Sequence, residues 1–435
     1  MAYIFANYSY NQNDLDLNRL YANAWDVGFF DDANLTYYGV SYRDIYSVDW
    51  YLNGDYASIF GGDRITVDQQ LNVTGGTISG YLELFWNGAE YLVSGGMQDM
   101  AISAKALFGA AATSSRVDDH ALLEQALWGD DEFELSGGDD IAFGYGGNDW
   151  MFGFAGHDVL SGGTGDDVLV GGSGNDTING GPGQDTAAFS GTAGSYTLTL
   201  NVAAHPVIAD RRAGGDGVDS IIDVEFLSFE REEGLFALSQ FNATPQLLGK
   251  EFESFIELYI AYFNRAPDAV GLNFWGTAFA SGTTFPEIAK LFMDQEETRA
   301  IYPNTSSNVD FATSVYHNVL GRVPDQSGLD FWVAVLDSGE QGRDQFILSV
   351  LGGVQEGSLD RQYLDNKVDV GAYYAVHKGM SDVGDAAAVM ALFDGSQSSI
   401  DRAVAAIDAD YADAHNPTSG EFLMPIIGVL DNPFA

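Results

Sequence analysis

Aspartate recurs at every ninth residue in one stretch of this chain, and each aspartate stands two residues after a glycine. The seven aspartates are Asp131, Asp140, Asp149, Asp158, Asp167, Asp176 and Asp185. The clearest units begin at Gly162 and Gly171 and follow the pattern G-G-x-G-x-D-x-U-x, in which U is a large apolar residue. Each unit predicts a glycine turn, where a positive φ costs little, followed by a short strand whose U side chain points inward.

The repeat also predicts a metal site and an apolar core. Aspartate carboxylates and turn carbonyls together form the hard oxygen cages that Ca²⁺ prefers, whereas Mg²⁺ demands stricter octahedral geometry. A disordered acidic linker is the alternative, but a linker has no reason to keep glycine, aspartate and an apolar residue in register. The predicted inward positions are Phe133, Ala142, Met151, Leu160, Leu169, Ile178 and Ala187.

Residues 126–188 resemble the RTX nonapeptide arrays of proteins exported by bacterial type I secretion. The resemblance implies a parallel β-roll in which two nonapeptides make one coil and Ca²⁺ lies between turns n and n+2. It pairs aspartates eighteen residues apart, from Asp131 with Asp149 to Asp167 with Asp185, and so implies about five ions. Besides the seven aspartates, the predicted metal-binding residues are Gly138, Gly147, Gly156, Gly163, Gly165, Gly172, Gly174 and Gly183.

The array departs from the pattern at its ends. The units that begin at Ala126 and Leu135 lack the leading glycine pair, and the last unit carries Ala187 at the inward position. Terminal repeats are often atypical because they cap the stack. We therefore expect the best sites at the central aspartates, which are Asp149, Asp158, Asp167 and Asp176.

Net charge and cysteine content limit which partners and which stabilising bonds the chain can have. The chain has 63 acidic and 18 basic side chains, a formal net charge of −45, and this disfavours nucleic acid or a bare anionic membrane as a partner. About five Ca²⁺ ions would add about +10. The chain has no cysteine, so neither disulfides nor thiolate metal sites are available. Bound calcium is therefore the expected source of added stability.

The sequence favours an extracellular or cell-surface location. Residues 1–10 have no basic region, so they do not resemble a Sec signal, and no apolar run approaches the roughly 18 residues of a membrane span. The RTX resemblance implies export by type I secretion machinery, with an uncleaved signal at the C-terminal end. Residues 421–435 are the candidate for that signal.

The predicted organisation is multidomain, with a β-rich N-terminal domain over residues 1–125, the RTX β-roll, and a β-strand cap over 189–241 that resembles those closing RTX rolls. An open end of a roll would expose backbone and apolar residues, which is the physical need for a cap. The N-terminal aromatics could form a sugar-stacking platform, or they could be sheet core, which we favour. They are Tyr37, Tyr38, Tyr42, Tyr46, Trp50, Tyr51 and Tyr56.

A second repeat predicts an all-α C-terminal domain. Residues 258–275 match residues 315–332 at an offset of 57, with a shared Arg-x-Pro-Asp-x-x-Gly core. Proline would end one helix and aspartate would cap the next. This domain, residues 246–358, resembles a helical domain of unknown function that is similar to the phycobilisome linker domain. Residues 359–420 are predicted to continue it as amphipathic helices.

The sequence shows no catalytic motif. None of its six histidines has the His-Glu-x-x-His spacing of a zinc protease, and there is no Gly-x-Ser-x-Gly elbow or P-loop. We therefore predict a non-enzymatic calcium-binding protein with an adhesion, matrix or surface-layer role, which could involve a cell-surface glycan or self-assembly. The alternative is a polysaccharide-active enzyme or glycan-binding module in residues 1–125.

Overall fold

The structure is a computed structural model that describes residues 1–37, 39–230, 234–241, 243–303 and 305–434. Its contacts divide the chain into two compact units. The first comprises Met1–Ser190 with Gly214–Phe236, and the second comprises Gly191–Ala213 with Ala237–Ala435. The segment predicted as a cap, residues 189–241, is therefore divided between the two units.

The first unit begins with an antiparallel sheet. Its strands and helices are β1 (Tyr3–Ala6), α1 (Arg19–Ala22), β2 (Ala24–Phe30), β3 (Leu35–Tyr37), β4 (Val40–Tyr42), β5 (Asp44–Tyr51), β6 (Asp55–Val67), β7 (Val73–Trp86), β8 (Tyr91–Ser103), α2 (Ala104–Ala111) and α3 (Arg116–Ala126). The main sheet runs in the order β2-β5-β6-β7-β8-β1, as the alternating sequence indicates. Phe108 of α2 packs edge-on against Tyr46 and Phe60, with ring centroids 4.7 and 5.1 Å apart. Helix α2 thus covers one face of the sheet.

The parallel roll follows. Its strands and those after it are β9 (Glu132–Glu134), β10 (Ile141–Phe143), β11 (Trp150–Phe152), β12 (Val159–Ser161), β13 (Val168–Val170), β14 (Thr177–Asn179), β15 (Thr186–Phe189), β16 (Tyr196–Asn201), β17 (Val207–Asp210), β18 (Val218–Ile222), β19 (Phe226–Phe229) and β20 (Phe236–Ala237). Strands β9, β11, β13, β15 and β19 form one parallel stack. Strands β10, β12, β14 and β18 form the other.

The interior of the roll is built from the predicted inward positions. All seven of those side chains are fully buried. The register places Leu169 beside Ala187 and Ala187 beside Leu227, so one column of apolar side chains passes from the array into the later strand β19. Stacking therefore buries in every coil a face that a single nonapeptide could not bury alone.

Both ends of the roll are closed by segments outside the array. At the first end, β1 pairs in parallel with β9, and Asn11 bridges to Ile141. The side chain of Gln12 donates to the carbonyl of Phe143 and accepts from its N–H. Residues 2–12 thus supply the coil that precedes the first repeat. At the other end, β18 and β19 continue the two stacks.

The second unit is mainly helical. It contains strands β16 and β17, which were given above. Its other elements are α4 (Gly249–Phe263), α5 (Ala269–Ala280), α6 (Phe285–Met293), α7 (Glu296–Ile301), α8 (Asn308–Leu320), α9 (Gln326–Ser338), α10 (Arg343–Gly352), α11 (Leu359–Ala372), α12 (Val383–Ala391), α13 (Gln397–Ala414) and β21 (Ile426–Ile427). Asp268 and Asp325 cap α5 and α9, each accepting from the N–H of a glycine three residues on. Within the described ranges, no helix is both long and apolar enough to cross a bilayer.

The two arginines at equivalent positions of the helical repeat form ion pairs, and they do not use the same partners. Arg265 pairs with Glu297 at 2.7 Å and with Asp268 at 3.4 Å. Arg322 pairs instead with Asp360 at 2.7 Å. The repeated sequence therefore gives the same turn and cap but a different set of ionic contacts in each copy.

The predicted export signal is packed into the second unit. Strand β21 pairs in parallel with β16, and Leu423 and Met424 are fully buried. Arg211 donates to the carbonyl of Glu421 at 2.7 Å. The side chains of Leu423, Met424 and Ile426 are thus part of the folded core, and they would be accessible only before folding.

Two turn residues of the roll are held in a conformation suited to glycine. Tyr145 and Phe154 both have φ of +69°, at positions where later units carry Gly163 and Gly172. Phe154 is 52% exposed, so the burial of its side chain offsets little of the backbone strain energy. A bulky side chain in the left-handed region costs roughly 1–2 kcal/mol.

We expect Phe154→Gly to raise the free energy of unfolding by roughly 1 kcal/mol, because the relief of strain exceeds the added entropy of a glycine in the unfolded chain. Chemical denaturation at saturating calcium measures this change. The control is Phe152→Gly, which places glycine in extended strand β11 and should lower stability. An equal loss of stability in both variants would contradict the assignment of strain to Phe154.

Candidate metal centre

The repeated aspartates form two rows, one along each edge of the roll. Each aspartate ends a glycine turn and precedes a three- or four-residue strand, so the parallel register places aspartates eighteen residues apart side by side. Oδ1 of Asp149 accepts from the backbone N–H of Asp131 at 2.8 Å, and Oδ1 of Asp167 accepts from that of Asp149 at 2.8 Å. The second row repeats the contact between Asp158 and Asp140 at 2.8 Å. The structure thus brings together the pairs implied by the RTX resemblance.

The second oxygen of these carboxylates, Oδ2, is the atom that is open to a metal ion. All seven aspartates are at most 3% exposed, and six of them have a buried Oδ2 without a hydrogen-bond partner. These six are Asp131, Asp149, Asp158, Asp167, Asp176 and Asp185. A buried carboxylate oxygen without a donor is costly unless a cation occupies its open side.

Asp140 differs from the other six. Its Oδ2 accepts from the backbone N–H of Ser136 at 2.8 Å and from the Ser136 hydroxyl at 2.9 Å. Ser136 stands near the start of a unit whose leading glycine pair is missing. The carboxylate of Asp140 is therefore already satisfied by protein donors, which makes it the weakest ligand in its row.

From Asp149 to Asp185, the open side of each carboxylate faces a cradle that only glycine leaves free. A methyl group built on Gly144 would lie 2.0 Å from Oδ2 of Asp149 and 2.4 Å from the carbonyl oxygen of Gly162. The same construction on Gly153 meets Oδ2 of Asp158 at 2.4 Å and the carbonyl oxygen of Gly171 at 2.6 Å. A carboxylate oxygen and a carbonyl oxygen of the next coil therefore flank one point, which is the donor set that Ca²⁺ takes.

The predicted glycines allow the coils to stack. A methyl group on Gly165 would lie 1.9 Å from the carbonyl oxygen of Gly147, and one on Gly183 would lie 1.7 Å from that of Gly165. In the second row, Gly174 stands in the same relation to Gly156 at 1.6 Å. Gly163 and Gly172 have φ of +107° and +94° and make the turn itself. Gly138 lies instead against the Ser9 hydroxyl.

Burial makes these carboxylates hard to ionise without a cation. Desolvation raises the pKa of Asp149 to about 8, with neighbouring carboxylates at Asp167 and Asp131 adding to the effect. Desolvation likewise raises the pKa of Asp158 to about 7 and that of Asp185 to about 6. Bound Ca²⁺ would supply the positive charge that favours the ionised form of these residues.

This electrostatic arrangement predicts an inverted pH dependence when calcium is absent. Because the folded pKa values lie above the unfolded value of 3.8, the folded roll binds more protons, and its stability falls as pH rises from about 4 to about 8. We expect a lower unfolding temperature at pH 8 than at pH 5.5 in excess chelator, measured by circular dichroism. Saturating calcium should remove this loss. Greater stability at pH 8 than at pH 5.5 in chelator would contradict the burial of these carboxylates.

The two rows continue beyond the array into acids of the following strands. Oδ1 of Asp219 accepts from the N–H of Asp176 at 2.8 Å, and Oε2 of Glu225 accepts from the N–H of Asp185 at 2.9 Å. A methyl group on Gly180 would meet Oδ2 of Asp185 at 2.6 Å and the carbonyl oxygen of Asp223 at 2.4 Å. The last turn of the array thus has the same cradle as the central ones.

The sequence prediction did not include these acids in the metal rows because they stand outside the nine-residue register. Asp219 follows Asp176 by 43 residues and Glu225 follows Asp185 by 40, whereas paired aspartates of the array are 18 apart. The only signal was the similarity of the segment to a roll cap. At the opposite end, backbone N–H groups of Ala2 and Tyr10 donate to Oδ1 of Asp131 and of Asp140. At this end the aspartate rows therefore end on backbone N–H groups, and residues 2–12 add no carboxylate to them.

A further series of hydrogen bonds joins successive coils on the outer side of the turns. The side chain before each aspartate accepts from the backbone N–H of the equivalent residue one coil later. Asn148 accepts in this way from Asp166, and Asp166 accepts from Gln184, at 2.8 and 2.9 Å. These exposed residues therefore hold the coils together without pointing a charge at the cradle.

The N-terminal aromatics do not form one platform. Tyr42, Tyr46 and Trp50 are at most 5% exposed and belong to the core. Trp50 stacks on Tyr56 with ring centroids 4.4 Å apart. Tyr51 is exposed, and Tyr38 lies outside the described residues.

The fold and these rows define a calcium-binding parallel β-roll with an α-helical C-terminal region. Residues 126–160 and 152–187 match the family model of the RTX calcium-binding nonapeptide repeat, which confirms the calcium-binding repeats predicted from the sequence. Residues 289–353 match DUF4214, a domain of unknown function, within the predicted helical domain. The likeness to the phycobilisome linker domain stays a prediction.

The chain is also similar to a module of known structure. The match is a solution structure of a subunit of the Azotobacter vinelandii mannuronan C5-epimerase, which is 21% identical, covers 25% of this chain and 83% of its own, and has a TM-score of 0.13. No curated protein matches the chain.

Proposed function

We propose that the chain is a secreted protein whose β-roll folds on extracellular calcium and serves attachment or assembly at a cell surface or in a matrix. The observation that supports the proposal is the pair of buried aspartate rows, six of whose members have an Oδ2 without a partner. Metal binding and folding are coupled when the site exists only in the folded state. The chain would therefore remain poorly folded at low calcium and fold where calcium is plentiful.

The proposed route is type I export before the second unit folds. The candidate signal, residues 421–435, includes side chains that are buried after folding. A transporter would have to recognise them while the chain is still unfolded. Low cytosolic calcium supports this order of events, because it leaves the buried carboxylates of the roll without counterions.

Asp167→Asn should weaken calcium-dependent folding strongly. The variant keeps Oδ1 as an acceptor for the N–H of Asp149 but removes a charge from the central cradle. The matched control is Asp166→Asn, which removes an exposed charge and keeps the contact to Gln184. In a calcium titration followed by circular dichroism, we expect the midpoint of the first variant to rise by roughly tenfold and that of the control to stay within about twofold. Equal midpoints would contradict the assignment of Asp167 as a ligand.

We further propose that the cap extends the calcium rows, so that the ions number about seven, with the two added sites at Asp176 with Asp219 and at Asp185 with Glu225. Glu225→Gln should remove one ion and leave the others bound. Native mass spectrometry of the calcium-loaded chain counts them directly. The Asp166→Asn variant, which has lost the same formal charge, should retain the full number. An unchanged count in Glu225→Gln would limit the rows to the array.

The surface role is proposed to be non-enzymatic. It is supported by the absence of a catalytic motif in the sequence and by the two similar helical turns, which could present related faces to a partner. A glycan array and a polysaccharide hydrolase and lyase screen, both on the full calcium-loaded chain, separate this role from the alternative of an enzyme or a glycan-binding module. Turnover of a polysaccharide would overturn it.

A further inference from the structure

A cavity of about 350 Å³ lies in the N-terminal part of the first unit, and the aspartate rows do not contribute to it. We call it the N-terminal cavity. Residues from strands β1, β6, β7 and β8, from helices α1, α2 and α3, and from the loop before α1 surround it. Its volume is within the range of small-molecule sites, which is roughly 300–1,000 Å³.

Most of the wall is apolar. Side chains from five different elements contribute to it, so the apolar lining does not depend on one loop. The main contributors are Phe5, Phe60, Met97, Met100, Leu107 and Leu122. Methionine side chains are flexible and polarisable, and they adapt to ligands of varied shape. The wall is therefore suited to the hydrocarbon part of a ligand.

Two of the polar groups in the wall already neutralise one another. Arg19 and Glu83 form an ion pair at 2.5 Å, and the hydroxyl of Tyr81 donates to the same carboxylate at 2.5 Å. The guanidinium of Arg19 also lies 4.9 Å from the centre of the Trp50 ring. The positive charge of Arg19 is thus paired with Glu83, although its Nε has no hydrogen-bond partner, and a ligand anion would have to compete with Glu83 for it.

Asp119 is a buried charged group of the wall that forms no ion pair with another described residue. It is 1% exposed, and its Oδ2 accepts from the backbone N–H of Leu17 at 3.0 Å. Its Oδ1 is buried without a hydrogen-bond partner. No ion pair between described residues includes it. Burial raises the pKa of this carboxyl, and the carboxylates of Asp118 and Asp16 add to the effect.

The surroundings of Asp119 do not suit a metal ion. Calcium requires six to eight oxygen ligands. Among the described residues, the groups of three acidic side chains close enough to share an ion lie elsewhere, and neither of them includes Asp119. A ligand that has one hydrogen-bond donor group and an apolar body fits this site better than a bare cation does.

We propose that the N-terminal cavity binds a small organic ammonium ion, with the ammonium group paired with Oδ1 of Asp119 and the hydrocarbon body against Phe60, Met97 and Met100. An unpaired buried carboxylate gains most from a partner that brings both a positive charge and a hydrogen-bond donor. The formal net charge of −45 would also raise the local concentration of cations around the chain.

The test uses the full chain at saturating calcium and isothermal titration calorimetry with octylammonium. Octanol and octanoate serve as neutral and anionic probes with a similar hydrocarbon chain. We expect one octylammonium to bind per chain, roughly tenfold more tightly than octanol, with octanoate weaker still. Octanol binding as tightly as octylammonium would overturn the proposal, as would a folded chain that does not bind octylammonium.

Two variants locate the charge. Asp119→Asn should weaken octylammonium binding by roughly tenfold and leave octanol binding within about twofold. Asp118→Asn removes the neighbouring half-buried charge, which is not part of the cavity wall, and should leave both unchanged. It controls for the loss of one nearby negative charge. Equal weakening in the two variants would overturn the role of Asp119. If Asp119→Asn does not fold, the comparison of octylammonium with octanol on the unaltered chain still decides the proposal.

Discussion

The burial of a carboxylate in every turn is the constraint on which the roll depends. Each aspartate holds the preceding coil through Oδ1, and six of the seven present a second oxygen that the protein leaves without a donor. Packing of the apolar column draws the coils together, and the same packing removes water from the carboxylates. Burial of the apolar core therefore also buries carboxylates that need a cation. Calcium supplies the positive charge and accepts oxygen ligands in a flexible coordination shell.

At both ends of the roll, other segments of the first unit pair with the coils that contain the buried aspartates. Strand β1 belongs both to the antiparallel sheet, through β8, and to the roll, through β9. At the far end, Asp219 and Glu225 extend the rows beyond the last repeat. The array is thus not an independent module, because its first coil is covered by residues 2–12 and its last by residues 216–229.

Much of the roll could be predicted from the sequence, because a nine-residue period fixes turn, ligand and core position at once. The buried column from Phe133 to Ala187 follows from that period, and the pairing of aspartates eighteen residues apart is what the RTX resemblance implies. The contacts that depend on other parts of the chain could not be predicted. Ser136 satisfies Asp140 through its hydroxyl, and Glu225 replaces an aspartate although it lies outside the register. Neither pattern is periodic, so only the folded chain reveals it.

The burial of Leu423 and Met424 beside β16 sets the order of events along the chain. Strand β16 begins at Tyr196, so its partner strand is made more than two hundred residues later. Closing such a long loop is slow, because its entropy must be lost before any contact is gained. The second unit therefore cannot complete its fold during synthesis until residues 421–427 are available, so its folding ends only after all of residues 196–427 have been made.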